Sequence, residues 1–370
     1  MTKVVLSIRS LDIGGAERQF IELLKHIDKS RFDVTVCTMY GGLQEDQVRK
    51  IPKVKYINLE KKGRYDLMGF YRKYRNLLDG IKPDAIYSFL GEMNLFSLWC
   101  KPKDTKLIWG LRASNMDLKK YGKVPQIIFR LQKSCSPKVD RIVANSHAAI
   151  VFHRDKGFDM SRSTVIHNGI DTLRFQRNEQ AREAFRERFD MNESDIAIGM
   201  VARIDAMKGY PVFVKAAKIL LERYEHLKFF AIGSGDEKIK KECEAILETY
   251  NEQRFFWLGR WTDIEEIYSG LDLAVSSSFS EGFSNSIAEA MSCQVPCIVT
   301  DVGDSALIVA ETGEVVAPGD VEGTVAAIER MMAADLEERG HRARERIVEN
   351  FSIDRMVKQT QKVLIECVES

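Results

Sequence analysis

Two glutamates eight residues apart, Glu281 and Glu289, are the strongest candidates for chemistry in the sequence. Glu281 follows a strand predicted over 271–277, and Glu289 lies in a helix that is predicted to begin near Ser284 and to precede a strand over 295–300. In a parallel sheet, such loops and helix starts lie at the carboxyl edge, where ligands bind. Two acids beside a helix start that favours anions would suit a polyhydroxy ligand joined to phosphate. The alternative is a surface loop with a capped helix and a solvated acid.

A second candidate pair is cationic. Arg203 and Lys208 lie on either side of a loop that follows a strand predicted over 196–201 and precedes a helix beginning near Pro211. Both side chains can converge on one diphosphate, the guanidinium through a planar fork and the ammonium as a point charge. Two solvated cations are the alternative.

Paired glycines, Gly14 and Gly15, follow the first predicted strand over 3–9 and precede an amphipathic helix. Glycines at such a turn let the backbone approach a ligand while the helix N-terminus faces phosphate. The Gly-x-Gly-x-x-Gly spacing of dinucleotide-binding proteins is absent. A purely structural turn explains the two glycines equally well.

The motif Glu-Gly-Phe-x-Asn-Ser-x-x-Glu-Ala-Met, which begins at Glu281, resembles the signature of the retaining glycosyltransferases of family 4. Gly-Gly-Ala-Glu-Arg at 14–18 is similar to the first loop of that family, and Arg203 followed by Lys208 and a glycine resembles its phosphate-binding loop. The resemblance covers nearly the whole chain. It implies the GT-B architecture, an α/β fold in which two Rossmann-like doubly wound domains face each other across a cleft.

The alternation of strand and helix patterns, together with this resemblance, predicts the domain organisation. Residues 1–170 are predicted to form an N-terminal acceptor-binding Rossmann-like domain. Residues 171–350 are predicted to form a C-terminal Rossmann-like domain that binds the nucleotide-sugar donor. Residues 351–370 are predicted to form a C-terminal helix that crosses back to the N-terminal domain.

The resemblance also implies a role for each matching residue. Arg203 and Lys208 would stabilise the negative charge that builds on the β-phosphate, and Glu281 would hold hydroxyls of the donor sugar, so these three are the predicted catalytic residues. Glu289 would accept hydrogen bonds from the ribose hydroxyls. The predicted donor-binding residues are Gly15, Gly233, Gly259, Arg260, Gly282, Phe283, Ser284, Asn285, Ser286 and Glu289.

The sequence has no Asp-x-Asp motif, which is the metal clamp of the other major transferase fold. No cofactor and no metal ion are therefore expected, and the nucleotide-sugar is expected to act as a substrate in a metal-independent reaction. No second carboxylate is obviously placed as a covalent nucleophile. As for the relatives, front-face transfer is expected, in which the leaving phosphate accepts the proton of the acceptor.

Polar residues at the ends of predicted strands in the first half of the chain are candidates for contact with the acceptor. These acceptor-binding candidates are Glu17, Glu92, Arg112, Asn115 and His147. Many relatives have a histidine where Arg112 stands, so the acid–base role of that histidine is not carried over. His147 has an alternative interpretation as a helix N-terminal residue without chemistry.

Composition limits the class of protein. A chain of 370 residues with 45% apolar content can bury two substantial cores. No apolar run is long enough to span a bilayer, and the chain begins directly with a predicted strand, so a cytoplasmic protein is expected. The seven cysteines form no Cys-x-x-Cys pair and are expected to be reduced, mostly buried thiols rather than zinc ligands.

The charge is distributed unevenly along the chain. Residues 1–165 carry a net charge of +14 and residues 166–370 a net charge of −13. A basic amphipathic helix is predicted to begin near Val124, with Ile127, Ile128, Phe129 and Leu131 among the cations Lys119, Lys120, Lys123, Arg130 and Lys133. We therefore expect the N-terminal domain to dock on the anionic inner face of the cell membrane. An ordinary core-facing helix with a solvated basic face is the alternative.

These observations predict a retaining glycosyltransferase that moves a hexose or N-acetylhexosamine from a UDP- or GDP-sugar to a glycan hydroxyl, in cell-surface polysaccharide or glycan assembly. The expected partners are the nucleotide-sugar, a glycan or lipid-linked glycan acceptor and an anionic membrane surface, with no nucleic acid. Alternatives are a nucleotide-sugar epimerase, a phosphorylase of the same fold, and a catalytically silent subunit that binds nucleotide-sugar.

Overall fold

The computed structural model describes residues 1–112, 122–247 and 253–370. It consists of two compact units, the first formed by residues 1–169 and 353–370 and the second by residues 170–352. The sequence places the corresponding boundaries at 170/171 and 350/351. Each unit is an open parallel sheet with helices packed on it, as predicted for two Rossmann-like domains.

The sheet of the first unit has seven parallel strands in the order β3-β2-β1-β4-β5-β6-β7, counted over the described residues. The strands are β1 (Thr2–Ile8), β2 (Phe32–Thr38), β3 (Val54–Asn58), β4 (Ala85–Phe89), β5 (Lys106–Leu111), β6 (Arg141–Ala144) and β7 (Ser163–Val165). Along β1, Val4 and Leu6 belong to one buried cluster and Val5 to another. Both faces of the sheet are therefore buried, which explains why its strands are continuous apolar runs.

Helices cover the two faces of this sheet. They are α1 (Gly15–His26), α2 (Glu45–Arg49), α3 (Leu67–Ile81), α4 (Gly91–Cys100), α5 (Lys123–Cys135), α6 (His147–Asp155) and α15 (Ile353–Glu369). The last of these joins the first unit although it follows the second in the sequence. Its buried residues Met356, Leu364 and Cys367 share a core cluster with Phe20 and Leu24 of α1.

The second unit has a six-stranded parallel sheet in the order β10-β9-β8-β11-β12-β13, counted over the described part of the chain. Its strands are β8 (Ile196–Val201), β9 (Leu227–Ile232), β10 (Phe255–Gly259), β11 (Leu273–Ser276), β12 (Cys297–Thr300) and β13 (Glu314–Val316). Its helices are α7 (Glu179–Arg188), α8 (Tyr210–Arg223), α9 (Glu237–Leu247), α10 (Ile264–Gly270), α11 (Asn285–Ser292), α12 (Ser305–Val309), α13 (Val321–Met332) and α14 (Leu336–Phe351).

The strand order explains which loops meet. Because β8 and β11 are neighbours in the sheet, the loops that follow them leave the same carboxyl edge side by side. All seven cysteines are free and six of them are buried, as predicted. Among the described residues, no helix combines the length and the apolar character needed to cross a bilayer.

Candidate active site

Lys208 and Glu281 form an ion pair at the carboxyl edge of the second sheet. Lys208 lies in the loop after β8 and Glu281 in the loop after β11, and Lys208 Nζ is 2.5 Å from Glu281 Oε1. The hydroxyl of Ser278 donates to the same carboxylate oxygen at 2.7 Å. The side chains of Lys208 and Glu281 are only 25% and 10% exposed, so the pair is held largely out of solvent. Two of the three predicted catalytic residues are thus in direct contact.

Arg203, the third predicted catalytic residue, is held on its own loop. Its side chain is 75% exposed, and Nε and Nη2 lie 2.8 and 2.7 Å from Asp205 Oδ2. The other oxygen of Asp205 accepts a hydrogen bond from the backbone amide of Met207 at 2.8 Å, which fixes the carboxylate. An anion that binds Arg203 must therefore compete with Asp205, a residue that the sequence analysis did not single out.

Gly209 ties the two loops together. Its φ of +70° lies in the left-handed region, and a Cβ at this position would be 2.0 Å from the carbonyl oxygen of Ser277. The hydroxyl of Ser277 donates to the Gly209 carbonyl at 3.0 Å, and the amide of Phe279 donates to the Met207 carbonyl at 2.8 Å. This close backbone approach sets the distance across which Lys208 reaches Glu281.

The start of α11 lies just after Glu281. Ser284 precedes the helix, but its hydroxyl makes no capping bond to the first turn and lies 3.3 Å from the hydroxyl of Ser286. Phe283 is buried and anchors the segment by packing against Phe351 at a ring distance of 5.4 Å. A helix start without a side-chain cap leaves its backbone amides able to receive an anion.

The loop after β12 supports this segment from the other side. The amide of Asp304 donates to the Gly282 carbonyl at 2.9 Å. Gly303, with φ of +61°, leaves no room for a Cβ beside the carbonyl oxygens of Glu281 and Gly282. The backbone around Glu281 is thus held by two neighbouring loops, those after β8 and β12.

Glu289 is in the interior of the second unit. It is 4% exposed and therefore differs from Glu281, which faces the loops. The guanidinium of Arg174 has a pKa raised above its ordinary value, chiefly because Glu265 accepts its hydrogen bonds, with a smaller contribution from the charge of Glu289. Contact between Glu289 and a ribose remains a prediction.

The glycines predicted to contact the donor have different surroundings. Gly233, at φ of +146°, lies so close to the loop after β8 that a Cβ would be 1.8 Å from the Ala202 carbonyl oxygen, and its amide donates to the Gly259 carbonyl at 2.8 Å. Gly259 has φ of +65° with open space beside it, and the neighbouring Arg260 is exposed. Packing between loops therefore accounts for Gly233, whereas space for a ligand exists at Gly259.

In the first unit, Arg9 lies beside two of the predicted acceptor-binding acids. Arg9 follows β1, and its Nε is 3.2 Å from Glu92 Oε2 at the start of α4. Glu17, in the first turn of the helix that begins at Gly15, has a pKa raised above its ordinary value, chiefly by burial, while the nearby charge of Arg9 acts in the opposite direction. Arg9 is not among the predicted acceptor-binding residues, although its position directly after a strand is a signal that could have identified it.

Arg112 is held by its own unit at the end of β5. Its guanidinium lies 4.5 Å from the ring centre of Phe89, and Nη2 donates to the hydroxyl of Tyr87 at 2.8 Å. A further bond of 3.4 Å reaches Asn168 Oδ1. These contacts leave Nε buried without a partner among the described residues.

His147 begins α6 and is exposed, with its ring centre 5.6 Å from that of His167. The capping bond of this helix comes from Ser146, whose hydroxyl accepts from the amide of Ala149 at 3.0 Å. The side-chain cap of α6 is thus Ser146, the residue before His147. Asn115 lies outside the described residues.

Two family models match the chain, one in each half. The model for Glycosyltransferase Family 4 matches residues 13–174, and the model for Glycosyl transferases group 1 matches residues 195–334. The fold is similar to that of HepE from Anabaena, solved in complex with UDP and with UDP-glucose, with a TM-score of 0.83 at 18% identity over 99% of this chain and 100% of that chain. The chain belongs to the family 4 type of GT-B glycosyltransferases, and the predicted family and fold class are confirmed.

The curated relatives match a smaller part of this chain than the solved structure does. The capsular polysaccharide biosynthesis glycosyltransferase CapM of Staphylococcus aureus is 28% identical over 50% of this chain and 49% of its own length. The N,N'-diacetylbacillosaminyl-diphospho-undecaprenol alpha-1,3-N-acetylgalactosaminyltransferase of Campylobacter jejuni is 27% identical over 61% of this chain and 61% of its own length. The matches therefore span about half to three fifths of the length of these relatives.

Proposed function

We propose that this protein transfers a sugar from a UDP- or GDP-sugar to a hydroxyl of a glycan acceptor, with retention of the anomeric configuration. The observation that carries the proposal is the pairing of Lys208 with Glu281 between the loops that follow β8 and β11. A cation for the leaving diphosphate and an acid for the sugar hydroxyls lie side by side there, next to the start of α11. That HepE, a protein of the same fold, binds UDP and UDP-glucose supports a donor of this class.

The ion pair suggests how the donor is received. A diphosphate entering beside α11 offers Lys208 a second anion, so the ammonium turns from Glu281 toward the phosphate. The carboxylate of Glu281 is then able to accept hydrogen bonds from donor sugar hydroxyls. Arg203 reaches the same diphosphate after it leaves Asp205, because its side chain is exposed and carried on the same loop as Lys208.

The chemical step places negative charge on the β-phosphate. The bond between the anomeric carbon and the β-phosphate oxygen breaks, the bond to the acceptor oxygen forms on the same face, and the acceptor proton passes to the leaving phosphate. Lys208, Arg203 and the first amides of α11 stabilise this charge more in the transition state than in the ground state. Protein cations thereby supply the positive charge that a metal clamp supplies in other transferases, and the reaction proceeds without a metal ion.

We further propose that the acceptor is a glycan carried on a lipid phosphate, and that the protein works at the inner face of the cell membrane. The lipid-linked acceptor in the name of the Campylobacter jejuni relative supports this assignment. So does helix α5, on which Ile127 and Leu131 are 52% and 41% exposed near the exposed cations Lys123 and Arg130. Phe129 faces inward instead and packs against Phe158 at a ring distance of 4.9 Å.

A donor panel tests the transfer reaction. UDP- and GDP-sugars are screened by thermal shift and by hydrolysis with the wild-type protein, Lys208→Ala and the control Lys215→Ala, whose side chain is exposed on α8. One donor should raise the melting temperature and be hydrolysed by the wild type and the control, with at least about 100-fold slower turnover in Lys208→Ala. Binding without hydrolysis or transfer by the wild type would indicate a silent subunit and overturn the proposal.

Sedimentation with vesicles tests the membrane assignment. Binding should require anionic lipid, fall as salt is added, and decrease when Lys123 and Arg130 are changed to glutamate. Lys358→Glu combined with Lys362→Glu on α15 provides a charge-matched control in the same unit, because both of these side chains are also exposed. Equal sedimentation of neutral and anionic vesicles would contradict electrostatic docking.

A further inference from the structure

The first unit contains an apolar cavity that the reaction proposed above does not use. The cavity has a volume of about 440 Å³, lies between helices α3, α4 and α5, and has the buried side chains of Leu95 and Phe96 in its wall. This volume is within the range of about 300–1,000 Å³ that small-molecule sites occupy. Arg9 and Glu92 line the same cavity, so it extends to the carboxyl edge of β1 and β4, where the predicted acceptor-binding residues lie.

Exposed hydrophobic side chains are concentrated at this cavity. Fifteen large hydrophobic side chains are exposed in the described part of the chain, and six of them line it. The six are Tyr65, Leu67, Met68, Trp99, Ile127 and Leu131. Single exposed hydrophobic residues are ordinary on a protein surface, whereas a contiguous group around a cavity marks a site for an apolar ligand.

A buried cation lies in the wall of the same cavity. Lys61 is 7% exposed, and its ammonium donates to the carbonyl of Arg64 at 3.1 Å, to the carbonyl of Gly63 at 2.5 Å and to the hydroxyl of Tyr40 at 3.3 Å. All three acceptors are neutral, and no carboxylate of the described residues is within ion-pair distance of this ammonium. Burying a charge without a counter-ion is costly, so the site favours an anion beside Lys61.

The other charges of the cavity wall also favour an anionic ligand. Arg9 is paired with Glu92 at 3.2 Å, so these two charges offset each other. Lys61 and the exposed Arg64 then leave the wall with a net positive charge beside an otherwise apolar space. A ligand that matches both features has an apolar chain joined to a phosphate.

We propose that this cavity binds the first isoprenoid units of the lipid carrier, with the carrier phosphate next to Lys61. This proposal rests on the lipid-linked acceptor of the proposed function and assigns the residues that recognise its lipid portion. Binding at the cavity places the carrier phosphate near the carboxyl edge of the first sheet, and Glu92 with its partner Arg9 lines the same cavity. The protein would then select acceptors by their lipid as well as by their sugar.

Calorimetric titration with farnesyl diphosphate, kept below its critical micelle concentration, tests the proposal on the full chain without nucleotide-sugar. We expect saturable binding with a negative heat-capacity change, because apolar surface is buried. Ile127→Asp should weaken this binding by at least about tenfold, since it places a carboxylate on the cavity wall. Val151→Asp is the matched control, because Val151 is 44% exposed on α6 of the same unit and does not line the cavity.

Two further ligands distinguish the possible sources of binding. One tests whether the phosphate alone is enough without the isoprenoid, and the other tests whether an ordinary membrane phospholipid binds as well as the carrier. Inorganic pyrophosphate and dihexanoyl phosphatidylglycerol should each bind at least about tenfold more weakly than farnesyl diphosphate, and Lys61→Met should weaken the binding of farnesyl diphosphate. Equal affinity for farnesyl diphosphate in Ile127→Asp and Val151→Asp would overturn the proposal. So would equal affinity for pyrophosphate or for the phospholipid, or a dimer of the wild type that Ile127→Asp dissociates.

Donor hydrolysis in the same variants separates this proposal from the transfer reaction. Ile127→Asp and Val151→Asp should hydrolyse the donor equally, because both residues lie in the first unit and neither is among the predicted catalytic or donor-binding residues. Loss of farnesyl diphosphate binding with intact donor hydrolysis supports a lipid site. Absence of donor hydrolysis from the wild type, with farnesyl diphosphate still bound, would contradict the transfer reaction alone.

Discussion

Lys208 Nζ and Glu281 Oε1 are 2.5 Å apart although the two residues are separated by 73 positions in the sequence. The contact is possible because their loops leave adjacent strands and because Gly209 allows those loops to touch. Each residue is thus part of the environment of the other. If Lys208 binds phosphate and Glu281 binds sugar hydroxyls, the free energy of donor binding must include the cost of separating this ion pair.

The first prediction concerns the coupling of this pair. Lys208→Ala and Glu281→Gln should each reduce turnover by about 100-fold or more, and the double variant should lose less than the product of the two losses, since each single change already breaks the ion pair. Steady-state kinetics of the four proteins give the coupling free energy, which we expect to be about 0.5–3 kcal/mol. Losses that multiply fully would indicate that the two residues act independently.

The second prediction separates the two acids. Glu289→Gln should weaken binding of the nucleoside diphosphate, whereas Glu281→Gln should retain that binding and lose sugar transfer. Titration calorimetry with UDP and GDP measures the affinity, and thermal unfolding of Glu289→Gln controls for the burial of this side chain, which is 4% exposed. An equal loss of nucleotide affinity in both variants would contradict this division of roles.

The third prediction concerns the backbone under the ion pair. Gly209→Ala should destabilise the second unit by about 1–3 kcal/mol and lower activity, because φ is +70° and the new Cβ would be 2.0 Å from the Ser277 carbonyl oxygen. Gly80→Ala is the control, since Gly80 lies in α3 with nothing within 4 Å of the new Cβ and should become slightly more stable. Chemical denaturation measures both, and equal stability of the two variants would contradict strain at Gly209.

The fourth prediction concerns pH. His153 is buried among Phe129, Phe152 and Phe158, and burial lowers its pKa below the ordinary value of 6.5, although its bond to the Ala149 carbonyl acts in the opposite direction. As the pH falls through about 6.5, the unfolded chain takes up this proton before the folded protein does. The contribution of His153 to stability is therefore complete above that pH and is lost below it.

Denaturation of the wild type and of His153→Phe between pH 7.5 and 5 measures this contribution. The wild type should lose more stability on acidification than the variant does, since other titrating groups are common to both. Parallel curves would show that His153 does not titrate differently in the folded and unfolded states.

The fifth prediction concerns α15. Leu364 is fully buried in the core that α15 shares with α1, so Leu364→Ala should destabilise the first unit by about 2–5 kcal/mol. Lys358→Ala on the exposed side of the same helix should change stability by less than about 0.5 kcal/mol. Thermal unfolding compares the two, and similar melting temperatures would contradict a core role for this helix.

Much of the fold could be predicted because parallel strands buried on both faces are continuous apolar runs, of which Val4 to Ile8 is an example. The family could also be identified, because the spacing of Arg203 and Lys208 and the spacing of Glu281 and Glu289 belong to motifs that are local in sequence. The pairing of Lys208 with Glu281 could not be predicted, because it depends on which strands are neighbours in the sheet.

Other features depend on tertiary contacts in the same way. Helical periodicity placed Phe129 on the membrane-facing side of α5, but the residue packs against Phe158, which lies 29 positions later. Lys61 is buried beside Tyr40 although it belongs to a basic segment with Lys62 and Arg64, and this sequence context does not indicate its burial. Asp205 had a usable signal, since an aspartate two residues before a free backbone amide commonly forms a local turn of the kind it makes with Met207.

The path of the chain has a consequence for biosynthesis. The first unit needs α15, yet residues 170–352 are made between its two parts. At about 5–20 residues per second, the ribosome takes roughly 10–40 s to make these residues, and during that time the apolar face of α1 has no α15 to cover it. The second unit is continuous in sequence and can fold during this interval. The second unit can thus be completed before the first, whose apolar face on α1 stays uncovered until α15 has been made.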